Sequence, residues 1–240
     1  MSPDRKRLFK DELEEIKMKI ALVMEWSTCT KNEIVYETLK KVAEANGHTV
    51  VNYGQFDMDD NRQTYNQNAI LTAVLLQSGA ADFVVTGCGT GEGAMLACNA
   101  MPGVQCGHVV DPADSYLFTQ VNAGNCMSLP FAKGWGWGAE VNLEYVFEKL
   151  FVQEPGGGYP ETAAASEQRN AALLTKLKEA AHHDIKEILA NEDPDVHEMV
   201  QAAFAGKRLE LFKENCQCDE ILKAVEDALK YSSRTHVRLG

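Results

Sequence analysis

The chain has 240 residues, 45% of them hydrophobic, enough for a core of its own and for one domain with an appendage. Acidic residues outnumber basic ones 35 to 23, and the formal net charge of −12 argues against a broad surface for nucleic acid or anionic membrane. With no run of about 18 apolar residues, a charged N-terminus in place of a signal peptide, and seven cysteines that suit a reducing compartment, the expectation is a cytoplasmic protein.

Residues 1–17 are charged and precede Met18, so they read as an N-terminal extension, with the basic cluster at 5–7 as a solvated end. A strand is predicted over 19–24, followed by Glu25 and Trp26, capping chemistry at 27–30, and an amphipathic helix over 31–46 that Gly47 closes. Strand two covers 48–53. A polar loop with Asp57, Asp59 and Asp60 leads to an apolar helix over 65–78, and strand three covers 82–86. A glycine turn, a helix over 94–101 and a fourth strand over 103–110 follow. Asp111-Pro112 opens a helix to 121, and strand five covers 125–129.

Strand and helix alternate throughout 18–152, which predicts a flavodoxin/Rossmann-like three-layer α/β sandwich with a five-stranded parallel sheet. Ligands of such sheets sit beyond the carboxyl ends of the strands, where strand order reverses. In flavodoxin-like order that point lies between strands one and three, and it brings Glu25 beside Cys88. From Lys133 a segment with Trp135 and Trp137, read as packing residues, leads to a helix over 139–151 and the loop 154–160. Residues 153–231 form a helical C-terminal extension, with a helix over 166–189, a break at Asp193-Pro194 and two further helices. Residues 232–240 are a tail.

The chemistry gathers at Gly87-Cys88-Gly89-Thr90-Gly91-Glu92-Gly93, between an apolar strand and a helix. Glycines there let the backbone turn sharply and aim several N–H groups at one spot, where the helix N-terminus adds partial positive charge. This is an anion site with a thiol beside it, so Cys88 can serve as base or nucleophile. Two alternatives stand. The turn can simply enclose an inert cysteine, or it can be a dinucleotide fingerprint of the G-x-G-x-x-A kind with Asp111 as the ribose acid, although such a fingerprint belongs in the first strand-turn-helix. No lysine follows as in a P-loop. Cys216-Gln-Cys218 is too closely spaced for a zinc knuckle and reads as structural, and His182 and His183 read as solvated. His108, at the end of strand four, is a further candidate. Arg169, near a helix start, either lies on the surface or reaches into a neighbour's site.

Lys19-Ile-Ala, the glycine turn, Asn99, Pro102-Gly-Val104, Asp111-Pro112, Asn122 and Asn125 resemble the family of B-type ribose-5-phosphate and galactose-6-phosphate isomerases over residues 18–152. The loop with Tyr159-Pro160 and the helical extension resemble a longer subgroup with members that isomerise 4-deoxy-5-hexosulose uronate. The resemblance implies a cofactor-free, metal-free aldose–ketose isomerase, a homodimer with its site at the subunit interface. Cys88 is then the base. Amides of Gly87, Gly89, Gly91 and Gly93 with Thr90 hold the enediolate, and Asn99 and Asn122 grip sugar hydroxyls. His108 and Trp26 are further candidates for contact with the ligand.

This chain departs from the family where ring-form substrates are handled. An Asp-His pair after strand one reads Glu25-Trp26, and the histidine before the asparagine at 122 reads Val121. Family arginines that clamp phosphate read Gln105 and Tyr159, which leaves Arg169. One arginine suits a carboxylate better than a dianion. An open-chain carboxylated sugar is therefore the expected substrate, with Glu25 shuttling a proton between its oxygens. A sugar-phosphate isomerase and a non-catalytic sugar-binding protein are the alternatives.

Overall fold

A computed structural model describes residues 17–59, 62–153 and 155–230. The N-terminal extension before Lys17, the tail 232–240, Asp60 and Glu154 lie outside the described residues. Five strands form one parallel sheet: β1 Lys19–Val23, β2 Thr49–Asn52, β3 Phe83–Cys88, β4 Cys106–His108 and β5 Cys126–Pro130. Their order is β2-β1-β3-β5-β4. The reversal falls between β1 and β3, as the sequence predicts, but the last two strands are exchanged relative to flavodoxin order. β3, buried at all six residues, is central and reads as a continuous apolar run because both faces are covered.

Helices α1 Asn32–Ala45, α4 Pro112–Asn122 and α5 Ala139–Leu150 cover one face. There Val35, Leu39, Leu143 and Phe147 pack on Ile20, Leu22, Phe83 and Val85. Helices α2 Tyr65–Gln77 and α3 Glu92–Asn99 cover the other. Residues 68–75 of α2 are buried without a break, the mark of a helix enclosed on all sides. Thr64 starts it with a capping box to Gln67.

What encloses the outer face of α2 is the C-terminal extension: α6 Ala164–Ala181, α7 Ile185–Leu189, α8 Pro194–Ala203, α9 Lys207–Asn215 and α10 Asp219–Lys230. Leu189, Val200, Phe204, Phe212 and Val225 share one apolar cluster with α2 and the sheet. Arg208 of α9 is 2% exposed and donates to Met24 O (3.1 Å), Tyr53 O (2.8 Å) and Asn68 Oδ1 (2.9 Å), fastening the extension to the carboxyl ends of β1 and β2. By contrast α6 buries no residue; it lies against α4 and leaves Leu173, Leu174 and Leu177 exposed.

Several expectations need correction. The helix predicted over 166–189 is two helices, because Asp184 caps a new start by accepting from Lys186 N. Three helices follow Asp193 rather than two, the additional break falling at Cys216-Gln217-Cys218, where Gln217 N bonds Ser78 O. Residues 27–30 do not cap α1: they lie in a 3-10 turn, Trp26–Lys31, and Lys31 at the cap position makes no side-chain bond. β4 is three residues long, not eight. His182 is half-buried, with its ring nitrogens on Lys178 O and Asn99 O. Trp135 packs edge-on against Phe131, but Trp137 is fully exposed. No helix among the described residues is long and apolar enough to cross a membrane.

Candidate active site

β3 delivers Cys88 to the carboxyl edge of the sheet, and two glycines explain how the chain leaves it. A Cβ on Gly87 would stand 2.2 Å from Leu129 O and 2.5 Å from the Phe131 ring, so only glycine lets β3 and β5 approach here. Gly91, at the cap of α3, has φ +82°, and a Cβ there would meet the His108 ring at 2.7 Å. The loop between them is braced from behind. Ser128 Oγ donates to Gly91 O (2.6 Å), and His108 Nε2 donates to Thr90 O (2.9 Å). Lys133 N and Ala132 N hold Gly89 O (3.0 and 2.9 Å).

With its carbonyls turned inward, the loop presents donors outward. Cys88, 6% exposed, accepts at Sγ from Gly91 N (3.2 Å), and Thr90 Oγ1 lies 3.9 Å from the sulfur. Glu92 N caps on Thr90 Oγ1 at 3.3 Å. Among the described residues no acceptor meets the amides of Gly89, Thr90, Gly93 and Ala94. These are the orphan donors of a helix start, and an oxyanion supplies what they lack. Gly89 has space around it, its nearest would-be neighbour being Ala132 Cβ at 3.7 Å, so its missing side chain keeps the mouth open rather than relieving a clash.

Glu25 follows β1 at the same edge. Val23 is the register partner of Thr86, whose hydroxyl donates to Val23 O at 2.7 Å. β1 ends at Val23, so Glu25 leaves it two residues on, at the same edge where Cys88 ends the neighbouring β3. By alternation both side chains point to the α2/α3 face. Glu25 is 7% exposed and accepts from the Ser27 hydroxyl. Trp26 is turned away from proton chemistry: its indole N–H bonds Met58 O (3.1 Å), and the Arg62 guanidinium stacks 4.2 Å over its ring. Arg62 and Ser27 went unnoticed in the sequence, as did Tyr65, whose ring stands against Gly93. Arg62 and Tyr65 reach the site from distant sequence, whereas Ser27 lies two residues from Glu25 in a stretch read as capping chemistry.

The remaining candidates lie elsewhere. Asn99 ends α3, about 10 Å along the helix axis from its start. Its Nδ2 donates to Cys106 O (2.8 Å) and its Oδ1 accepts from Cys106 N (3.0 Å), so its amide is used in tying α3 to β4. Asn122 ends α4, which returns the chain to the amino edge of the sheet. It is exposed and lines a pocket of about 160 Å³ with Val121, Glu167, Asn170 and Leu174 of α4 and α6. Arg169, next to Asn170, is exposed and makes no ion pair among the described residues. Gln105 bonds Thr175 Oγ1 (2.8 Å), and Tyr159 packs edge-on against Tyr116. Asp111 caps α4, with Oδ1 accepting from Ala113 N and Asp114 N, which occupies the acid a dinucleotide reading required. The chain thus separates its candidates: Cys88, Thr90, the glycines and Glu25 at one end, Asn122 and Arg169 at the other.

A thiol in a cradle of free amides, with a carboxylate one strand away, can take a proton from a carbon next to a carbonyl and hold the resulting oxyanion. That is the equipment of an enolising isomerase. The chain matches the ribose/galactose isomerase family over residues 20–154, more than half its length. A solved 4-deoxy-L-threo-5-hexosulose-uronate ketol-isomerase, in complex with a tartrate, is 50% identical, covers 89% of this chain and 100% of its own, and superposes with a TM-score of 0.85. A ribose-5-phosphate isomerase from Vibrio parahaemolyticus is 46% identical over 89% of this chain and 100% of its own, with a TM-score of 0.84. The type B ribose 5-phosphate isomerase of Leishmania infantum, 15% identical over 69% of this chain and 99% of its own, shares the fold at a TM-score of 0.56. No curated protein matches. The chain belongs to the ribose/galactose isomerase family, and it is an enzyme of the aldose–ketose isomerase class.

Proposed function

We propose that the chain isomerises an open-chain, carboxylated sugar, 4-deoxy-5-hexosulose uronate, without a cofactor and through a cis-enediolate. Cys88 as thiolate takes the proton from the carbon beside the carbonyl. The amides of Gly89, Thr90 and Gly93 with the Thr90 hydroxyl receive the oxyanion, and the Cys88 thiol returns the proton to the neighbouring carbon. Glu25, held by Ser27, moves a proton between the two substrate oxygens.

The observation that carries the choice of substrate is the absence of a ring-opening acid among the described residues at this end of the sheet. Trp26 stands at one histidine position with its N–H on Met58 O, and His108 is turned onto Thr90 O. An open-chain substrate needs no such acid. The substrate named for the 50% identical relative supports the same reading. The Arg62 guanidinium over Trp26 supplies positive charge at the residue that follows Glu25 in sequence.

The site is composite. Cys88 lies at the carboxyl edge of the sheet while Asn122 and Arg169 lie toward the amino edge, so a homodimer in which each subunit completes the other's site would unite them. The exposed leucines of α6 support such an association. Residues 18–152 then carry the chemistry, and the extension 153–231 serves the dimer through α6 and the protomer's own core through α7–α10.

Sugar-phosphate isomerisation is the second reading, favoured by the name of the 46% identical relative. Both substrates followed side by side by NMR decide between them. Turnover of the uronate alone is expected; turnover of ribose 5-phosphate at a comparable rate would overturn the open-chain assignment.

A further inference from the structure

Three thiols lie together far from Cys88. Cys98 is near the end of α3, and Cys106 and Cys126 begin β4 and β5 as register partners. Their sulfurs all lie within 4.8 Å of one another, and the residues are 1%, 7% and 0% exposed. Three small apolar fillers would account for the burial, but two neighbours are out of keeping with an apolar role. Thr72 of α2 is 0% exposed, and its hydroxyl stands beside the Cys98 thiol. Lys178 of α6 brings its ammonium to Asn99 O (3.0 Å) and Met101 O (3.4 Å). A buried hydroxyl and a half-buried cation are costly in surroundings that are otherwise apolar.

We propose that Cys98, Cys106 and Cys126 bind a zinc ion, with the Thr72 hydroxyl on the fourth side and Lys178 as counter-charge. The site is structural and separate from the isomerase centre. Tetrahedral zinc at about 2.3 Å from sulfur needs sulfurs about 3.8 Å apart, so the trio has to contract by at most about 1 Å. Binding converts three thiols to thiolates and releases three protons. One dication with three thiolates leaves a single negative charge, which the Lys178 ammonium balances. The bidentate Asn99 to Cys106 pairing keeps α3 and β4 at fixed separation. The ion would therefore tie α3, β4 and β5 together at the amino end of the sheet.

Because the site is sealed, the ion must enter during folding. The test unfolds the reduced full-length chain with a chelator, then refolds it anaerobically with one equivalent of zinc, or of cobalt(II) as a coloured stand-in. Expected are one zinc per chain after gel filtration and an intense thiolate-to-cobalt band. Cys126→Ser and Cys98→Ser should lose both, while Cys88→Ser keeps both. Refolded wild type with native circular dichroism but neither zinc nor the band would overturn the proposal, as would metal retained by Cys126→Ser. If the trio variants do not refold, alkylation mapping of zinc-loaded wild type in mild urea assigns the ligands. Protection confined to residues 98, 106 and 126 and lost on chelation supports the site; chelator-insensitive labelling there sinks it.

Discussion

The two ends of the parallel sheet treat their polar groups in opposite ways. At the carboxyl end the loop carbonyls are turned inward, onto Ser128, His108 and the amides of residues 132 and 133, and the unused amides face outward around Cys88. At the amino end, side chains that resemble binding groups are folded inward: Asn99 closes on Cys106, Gln105 on Thr175, and three cysteines are sealed under α2. One end leaves donors unsatisfied for a ligand, and the other satisfies them to hold the fold. Only Asn122 and Arg169 break this division, exposed toward the amino side, and they are the residues a second subunit would need to contribute.

Three substitutions sharpen the contrast. Cys88→Ala should lower kcat by about 10³-fold while leaving the melting temperature unchanged, since it removes a base at an open edge and leaves the core packing in place. Turnover within tenfold of wild type would remove Cys88 from the chemistry. Gly91→Ala should cost on the order of 2–4 kcal/mol in urea unfolding and much of the activity, because it combines a positive φ with a clash against the His108 ring. A neutral effect would mean that the brace behind the loop is dispensable. Asn99→Ala should lower stability by about 1–3 kcal/mol, by orphaning both Cys106 backbone groups, yet leave KM within twofold. A large rise in KM with unchanged stability would return Asn99 to the substrate.

Much of this arrangement was legible in the sequence. Strand and helix alternation implied the sheet, and it put the glycine turn at the carboxyl edge, where Gly87 and Gly91 answer to close contacts across the strands. The exchange of β4 and β5 was not legible, since both orders use the same run of elements with similar short connections. The bonding of Asn99 to Cys106 was not legible for a different reason. A family motif says that a residue type recurs but not which way its amide faces, and an eight-residue helix carries it to the far end of the sheet. Arg208 and the cysteine trio were equally silent, because their partners lie far away in sequence: Arg208 meets Met24, Tyr53 and Asn68, and Cys98 meets Cys126.

The composite site is tested most directly by mixing two inactive subunits. Cys88→Ala and Arg169→Glu chains, each purified, are dissociated, combined in equal amounts and reassembled, and uronate isomerisation is followed below KM. A site built from both subunits leaves one intact site in each mixed dimer, so about a quarter of wild-type activity should return if association is statistical. Mixed dimers that form, as seen by native mass spectrometry, but stay inactive would contradict the account and confine the site to one chain.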